Sequence, residues 1–354
     1  MKNKKKMIAN IILLISILIF LIIMLVSFGD IKSVYNTLIN ADYKYILIIL
    51  GLMAIYFIIW PLSLSVIIKK EYPDIRYISA YEISSSEFFF NGITPFSSGG
   101  QPFQAYALSK KGVKLSQSTS ILMINFIIYQ VVINVISIIA ISLYFNTIKE
   151  STSNFIWIAF IGFTINFLVL ILLILISVSK KTGILIHKFL ALLSKAKLFK
   201  KLENVIPSFD QYVSDVQIAF KTMVKQKNTI FISTTLKVIS LLIFYAIPFY
   251  GLKALHLEIS YNQLFYVISM TCFALTMVVW LPTPGSSGGA EYAFSLIFAA
   301  FSLSSSNTLS LMLIWRFATY YLVMIFGFIM YLIFERSMKK NENRNIFWFI
   351  LSIY

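Results

Sequence analysis

Residues that form disulfides, metal centres and many catalytic sites are scarce in this chain. Its 354 residues include one cysteine, Cys272, and two histidines, His187 and His256, which are far apart in the sequence. One cysteine makes no disulfide within the chain and no thiolate cluster, and two isolated histidines do not favour a histidine-ligated metal. We therefore expect no metal site and no histidine-based catalytic site; we also expect no cofactor, and we assign no residue a catalytic role.

Charged residues are also scarce, at 12% of the chain, whereas 59% of the residues are hydrophobic. A soluble domain has about 25% charged and about 45–50% apolar residues. The apolar residues form blocks that are long enough to cross a bilayer, which takes about 20 residues per helix. We predict an all-α polytopic membrane protein with about six full spans, at residues 7–28, 45–68, 118–145, 154–177, 229–250 and 308–334.

The first of these blocks follows a lysine-rich start and could be mistaken for a signal peptide. It is about twice as long as a signal-peptide core, and no small-residue cleavage pattern closes it. We interpret it as a retained span.

The formal net charge of +16 raises nucleic-acid binding as one interpretation. Most of the lysines and arginines, however, fall in the N-terminal tail, in segments 69–76, 110–114 and 180–227, and in the C-terminal tail. All of these lie on one side of the predicted membrane. This is the positive-inside pattern, which places both termini in the cytoplasm. We therefore predict a multi-pass protein of a bacterial plasma membrane, with membrane phospholipid and not nucleic acid as its partner.

Two further apolar segments, residues 78–110 and 262–303, are interrupted by glycine and proline. Proline removes a helical hydrogen bond and clashes with the preceding turn, so each segment should be a helix, a break and a second helix. Each begins and ends on the same predicted side, and we expect re-entrant or broken helices. Irregular backbone at membrane depth is tolerated only beside protein or a water-filled cavity, so two breaks predict a polar interior.

The two breaks match in sequence. Residues 94–100 read TPFSSGG and residues 283–289 read TPGSSGG, which are identical at six of seven positions with an offset of 189 residues. The segments that follow them run in opposite predicted directions. We therefore predict an inverted-topology repeat, in which broken helices at matching positions indicate the binding site of a transporter.

The repeat divides the chain into a first half at residues 1–178 and a second half at residues 229–340. A cytoplasmic amphipathic connector at residues 179–228 joins them, and residues 341–354 form a tail. We expect the connector to be mainly a solvated linker, with a regulatory or partner-binding role as the alternative.

The breaks also predict a chemistry. Glycine lets the backbone approach a ligand closely, and successive free N–H groups at the start of a half-helix bind anions such as a lipid phosphate. Kinks packed by small residues are the structural alternative. The candidate substrate-binding residues are Glu87, Asn91, Thr94, Ser97, Ser98, Gly99, Gly100, Gln101, Thr283, Ser286, Ser287, Gly288, Gly289, Glu291 and Arg316.

Charged side chains near the breaks support a pathway, since charges at such depth usually line a pathway or pair with one another. The candidate pairs are Arg316 with Glu291 and Lys237 with Glu87. Two alternatives stay open: the first pair only fixes helix packing, or Lys237 snorkels to the membrane interface.

Residues 94–102 and 282–291, followed by Arg316, Tyr320, Tyr321 and Gly327, resemble the signature regions of the lysylphosphatidylglycerol synthase transmembrane family. Members of that family include the flippase-like domains of the bacterial multiple peptide resistance factor. The resemblance covers nearly the whole chain. It implies a lipid flippase or transporter that moves lysyl-phosphatidylglycerol, or a related lipid, to the outer leaflet. Such movement lowers negative surface charge and protects against cationic antimicrobial peptides.

The resemblance leaves the lipid open, because other short members resemble carriers of polyprenyl-linked or other glycolipids. Longer relatives add a soluble domain that takes lysine from charged tRNA, and we expect this chain to lack that synthase activity. Two other classes of function stay open. A membrane-embedded transferase would use Glu87 or Glu291 as a general base, whereas a protein that only anchors others has no need of two matched breaks. A homo-oligomer is compatible with either class.

Overall fold

The computed structural model describes residues 31–152, 156–194, 206–278, 288–298 and 303–351, together with Thr283, Ser286 and Phe301. The predicted span at residues 7–28 lies outside the described residues. Five described helices are long and apolar enough to cross a membrane, and they contain or overlap the other five predicted spans. The chain is therefore an all-α, multi-pass membrane protein, as predicted.

The helices are α1 (Ile31–Ile39), α2 (Tyr43–Glu71), α3 (Tyr77–Ile93), α4 (Gly100–Ser109), α5 (Leu115–Thr152), α6 (Ile156–Val178), α7 (Lys180–Ser194), α8 (Ile206–Val224), α9 (Lys227–Ala254), α10 (Leu264–Val278), α11 (Gly289–Phe298), α12 (Ser305–Arg316) and α13 (Leu322–Leu351). A π-helical segment, Phe317–Tyr321, joins α12 directly to α13.

Local chemistry sets the ends of the helices. The carboxylate of Asp42 accepts the N–H of Lys44 at 2.9 Å, which satisfies one of the amides left unpaired at the start of α2. Lys69 and Lys70 lie in the last turn of the same helix, where the helix dipole favours positive charge. At the start of α12, the hydroxyl of Ser304 accepts the N–H of Asn307 at 3.2 Å.

The two halves repeat element by element. Adding 189 to the bounds of α4, residues 100–109, gives the bounds of α11, residues 289–298. By the same offset α2 corresponds to α9, α3 to α10, and α5 to the continuous helix formed by α12, the π segment and α13. Both α2 and α9 contain an internal proline, Pro61 and Pro248. The match at the breaks therefore extends to the order of four elements.

Equivalent helices run in opposite directions. Trp60 of α2 lies against Lys237 of α9, whereas Tyr45, earlier in α2, lies against Lys253, later in α9. The hydroxyls of Ser63 and Ser233 each donate to the other residue's carbonyl, at 3.0 and 2.9 Å. This antiparallel contact between equivalent helices agrees with the predicted inverted repeat.

The halves interlock around the broken segments. Helix α3 of the first half packs on α13 of the second, and α10 of the second half packs on α5 of the first. Glycine allows the α3–α13 contact, because a Cβ at Gly327 would lie 2.5 Å from the backbone nitrogen of Phe89. The hydroxyl of Tyr320 donates to the carbonyl of Gly92 at 2.9 Å. Close packing through small residues is typical of membrane helices, and here it holds the first break against the π segment.

The connector differs from its prediction. Helix α8 packs on α5 and α6, with Val216 and Phe220 buried. The hydroxyl of Ser120 donates to the carbonyl of Val216 at 2.9 Å, and the amide of Gln217 donates to the carbonyl of Ile176 at 2.8 Å. The expectation of a mainly solvated linker is therefore wrong for α8, because the membrane helices cover its apolar face.

Candidate functional site

The first break begins where α3 ends at Ile93. Thr94 is extended, with φ −113° and ψ 147°, as the following proline requires. Phe96 and Ser97 then have positive φ values of 57° and 48°, and the chain returns to a helix at Gly100. The predicted order of helix, break and helix is confirmed here.

The second break is described at Thr283, Ser286 and Gly288, whereas Ser287 and residues 279–282, 284 and 285 lie outside the described residues. Ser286 has a φ of 54°, close to the 48° of Ser97, its counterpart in the repeat. Gly288 has a φ of 86°, in a region that glycine enters without steric cost. Helices α10 and α11 flank this break, as predicted.

Three glycine amides at the breaks are hydrogen-bonded within the chain. The N–H of Gly99 donates to Oγ1 of Thr94 and that of Gly100 to Oδ1 of Asn91, both at 2.8 Å. The N–H of Gly288 donates to Oε2 of Glu291 at 2.7 Å. The expectation of free amides is therefore wrong for these three groups. The physical reason is that hydrocarbon supplies no hydrogen-bond partner, so the protein must pair such amides itself.

Both breaks line one cavity of about 240 Å³ between the halves. Ser97 represents the first break in its wall and Ser286 the second, so the two inverted segments meet at one place. Much of the remaining wall is aromatic, and its rings belong to Tyr56, Trp60, Phe88, Tyr129, Phe244 and Trp315.

Arg316 and Glu291 form a buried ion pair beside this cavity. Nε of Arg316 lies 2.5 Å from Oε1 of Glu291, and the two side chains are only 8% and 5% exposed. Since the other carboxylate oxygen accepts the N–H of Gly288, Glu291 joins the cation to the second break. Arg316 lines the cavity and ends α12, directly before the π segment. The predicted pair is confirmed, and π segments frequently mark functional sites.

Glu87 and Lys237 are linked through a tryptophan. The indole N–H of Trp60 donates to Oε1 of Glu87, and the amide of Gln104 donates to Oε2 at 3.1 Å. The ammonium of Lys237 lies 3.5 Å from the centroid of the Trp60 ring, a cation–π contact. Lys237 is 1% exposed, so the snorkelling alternative is wrong. The expected direct contact with Glu87 is replaced by one through the indole.

Among the buried donors without a hydrogen-bond partner in the part of the chain that the structure describes are the indole N–H of Trp315 and the hydroxyl of Thr283. Trp315 is 2% exposed and lines the cavity. A buried unpaired polar group costs about 1–3 kcal/mol. The unpaired indole N–H of Trp315 in the cavity wall is therefore suited to an anionic ligand.

The predicted site residues fall into three groups. The first group lines the cavity, and the second takes part in the hydrogen bonds and ion pair that hold the breaks. Of the third group, Ser98 and Gln101 are exposed, Gly289 starts α11, Thr283 carries the unpaired hydroxyl, and Ser287 lies outside the described residues. Their role in substrate binding stays a prediction. The first group is Glu87, Asn91, Ser97, Ser286 and Arg316, and the second is Thr94, Gly99, Gly100, Gly288 and Glu291.

Sequence reasoning missed Trp60, Gln104 and Trp315. Trp60 and Gln104 hold Glu87, and Trp315 stacks on Phe294 with ring centroids 4.6 Å apart. A weak signal existed for two of them: Trp315 directly precedes Arg316, and Gln104 lies in the first re-entrant segment. Trp60 had none, because a tryptophan in an apolar span is usually packing.

A family model described as the lysylphosphatidylglycerol synthase TM region matches residues 10–327 of this chain. A UPF0104 membrane protein of Archaeoglobus fulgidus is 25% identical over 339 residues, covering 93% of this chain and 98% of the relative. A UPF0104 membrane protein of Methanocaldococcus jannaschii is 27% identical over 256 residues, covering 72% and 97%. An uncharacterized protein of Mycoplasma pneumoniae is 21% identical over 335 residues, covering 88% and 82%. The family match includes both breaks and Arg316.

Proposed function

This chain belongs to the lysylphosphatidylglycerol synthase transmembrane family, and on that premise we propose that it moves a phospholipid between the leaflets of the cell membrane. One observation carries the proposal: two inverted breaks share one cavity whose wall includes Glu87 and Arg316, charges of opposite sign. Buried charges inside a membrane protein are costly and usually serve a substrate pathway.

The charges suit a headgroup that carries both phosphate and amine. Arg316 offers a forked donor that matches a phosphate, and the unpaired N–H of Trp315 adds a second donor in the same wall. Glu87 offers a carboxylate to an ammonium. The aromatic rings of the wall give the glycerol and upper acyl segments an apolar surface. Lysyl-phosphatidylglycerol has this combination of groups, and we propose it or a related aminophospholipid as the substrate.

Glu291 lies at the position that we propose for the lipid phosphate. Its carboxylate receives the N–H of Gly288 and contacts Arg316, which are the two kinds of group that bind a phosphate at a helix N-terminus. An arriving phosphate would take over both partners. Glu291 would then be released to pair with the substrate amine, and the contact between the second break and α12 would change.

The inverted halves provide the movement. If α3 and α4 rock against α10 and α11, the shared cavity faces one leaflet and then the other, as in transporters built from inverted repeats. The family resemblance implies that the lipid moves from the inner to the outer leaflet, and we propose that direction here. That transfer would lower negative surface charge and protect against cationic antimicrobial peptides.

The experiment uses the full chain in liposomes with acyl-labelled fluorescent lysyl-phosphatidylglycerol or phosphatidylglycerol. Externally added dithionite reports the label that reaches the outer leaflet. We expect wild-type protein to speed the appearance of the amine-bearing lipid. The double substitution Glu291→Gln with Arg316→Gln, which removes both charges together, should abolish this gain. Arg336→Gln, an exposed arginine on α13, is the control. Equal rates for wild type and the double variant, with equal reconstitution, would contradict the proposal.

A further inference from the structure

A second cavity, of about 390 Å³, lies outside the central one, between helices α4 and α13. Rings form much of its wall, and two charged residues share it. We call it the aromatic slot. Its defining residues are Phe103, Tyr106, Lys110, Tyr331, Phe334 and Glu335.

The rings of the slot are held by one another. Phe103 meets Tyr331 edge-on with ring centroids 5.5 Å apart, and meets Phe334 edge-on at 6.1 Å. Edge-to-face pairs of this kind are mutually stabilising. The slot therefore has walls that are set before any ligand arrives, and Tyr106 remains 55% exposed at its mouth.

The two charged residues of the slot have opposite signs, and each contacts a different tyrosine. The hydroxyl of Tyr331 donates to Oε1 of Glu335 at 2.6 Å, which fixes the carboxylate beside the rings. The ammonium of Lys110 lies 5.6 Å from the centroid of the Tyr106 ring. Aromatic rings that surround a cation, with a carboxylate beside them, are the usual recognition site for an organic ammonium group. A lysine at the rim is a common phosphate contact.

We propose that the aromatic slot binds the headgroup of an aminophospholipid, with its ammonium against the rings and Glu335 and its phosphate at Lys110. A lipid with phosphate alone would meet Lys110 but also the carboxylate of Glu335. The slot therefore selects for lipids that carry an amine.

A single turn of α3 separates the slot from the central cavity. In the last turn of α3, Phe90 lines the slot while its neighbour Asn91 lines the central cavity. The carbonyl of Phe90 also accepts the hydroxyl of Thr94 at 2.7 Å, in the first break. A headgroup in the slot is thus placed to pass into the cavity; this loading role rests on the proposed transport function, whereas the binding does not.

The two charged residues of the slot are not repeated in the sequence of the other half. By the 189-residue offset, the position equivalent to Lys110 is Ala299 and the position equivalent to Glu335 is Asn146. The slot therefore serves one leaflet, which the basic residues indicate to be the cytoplasmic one.

The test maps contacts of a photoreactive lipid with the full chain in nanodiscs. Phosphatidylethanolamine and phosphatidylglycerol, each with a diazirine near the headgroup, are the probes, and labelled peptides are located by mass spectrometry. We expect phosphatidylethanolamine to label peptides around residues 103–110 and 331–338. Glu335→Gln should reduce that labelling about three- to tenfold, and should raise the weaker labelling by phosphatidylglycerol, because the repulsion between the carboxylate and the lipid phosphate is removed. Lys110→Gln should reduce both.

Matched controls are Lys114→Gln, in the same loop as Lys110, and Glu258→Gln, an exposed carboxylate far from the slot. Equal labelling by the two lipids, or labelling unaffected by Glu335→Gln and Lys110→Gln, would overturn the proposal. Lipid movement measured on the same preparations separates the two claims. Selective labelling without transport refutes only the proposed function, and transport without selective labelling refutes only the slot.

Discussion

The two breaks have nearly the same sequence but hold their backbone in different ways. In the first, Gly99 has a φ of −77° and its N–H is paired by Thr94. In the second, the matching Gly288 has a φ of 86° and its N–H is paired by Glu291. The capping groups differ because Glu291 follows its motif, whereas the first break has Pro102 at that position of the repeat.

The groups that pair these amides are uncharged in the first break and charged in the second. The first is closed by a hydroxyl and an amide oxygen, whose hydrogen bonds do not depend on a distant charge. The second is closed by a carboxylate that also contacts Arg316 in another helix. A substrate that competes for Arg316 therefore perturbs the second break directly. We expect the first break to act as a fixed wall and the second as the moving part.

The largest expected effect is on the second break. Glu291→Gln leaves the buried Arg316 without its counter-charge, and removing one partner of a buried pair costs about 3–5 kcal/mol. The thermal unfolding midpoint of the purified protein should fall sharply. Glu291→Gln combined with Arg316→Gln should restore much of it, because no uncompensated charge remains. A double variant less stable than either single variant would show that the pair does not act as a unit.

The next effect contrasts the two glycines. A Cβ at Gly99 would lie 2.8 Å from the backbone oxygen of Phe90, whereas one at Gly288 would meet no atom within 4 Å. Asparagine tolerates left-handed backbone better than most residues. Gly288→Asn should therefore cost under about 1 kcal/mol, whereas Gly99→Asn should cost about 2 kcal/mol through overpacking. Unfolding midpoints of the two variants measure this, and a reversed order would mean that the left-handed backbone angle at Gly288 costs more than the crowding at Gly99.

The described spans, the breaks and the Arg316–Glu291 pair were predictable because each has a local signal. An apolar run reports a span, a proline reports a break, and a lone charge in an apolar stretch calls for a partner. The 189-residue offset also anticipated that α4 and α11 are equivalent.

The pairing of the break amides could not be predicted, since it depends on side-chain placement after folding. Nothing in the motif itself says that Asn91 reaches Gly100 or that Glu291 turns back to Gly288. The place of Trp60 between Glu87 and Lys237 depends on the antiparallel contact of α2 and α9, which is a tertiary feature. The packing of α8 on α5 has the same origin.

A smaller effect is expected at Thr94. Its hydroxyl donates to the carbonyl of Phe90 at 2.7 Å and accepts the N–H of Gly99 at 2.8 Å. Thr94→Val keeps the shape but removes both hydrogen bonds, and the loss of such a cap costs about 1 kcal/mol. Chemical or thermal unfolding should show this decrease, while Thr94→Ser, which keeps the hydroxyl, should show little. A loss in Thr94→Ser but not in Thr94→Val would assign the stabilisation to the methyl group and contradict the role of the hydroxyl.

The smallest effect on stability is expected from the same substitution at the equivalent position, Thr283→Val. The hydroxyl of Thr283 is buried and has no hydrogen-bond partner among the described residues, and replacing such a group by an apolar one of the same shape is close to neutral or stabilising. Stability should therefore stay the same or rise, unlike that of Thr94→Val.

A transport assay tests the role of the unpaired hydroxyl of Thr283. If this hydroxyl binds the lipid phosphate, Thr283→Val removes a hydrogen bond to a charged group, which is worth about 1.5–3 kcal/mol. Lipid movement should then fall about tenfold or more, although the variant is no less stable than wild type. Thr283→Ser should retain most of the movement. A Thr283→Val protein that transports normally would place the hydroxyl outside the substrate's path, and the asymmetry of the two breaks would then rest on Glu291 alone.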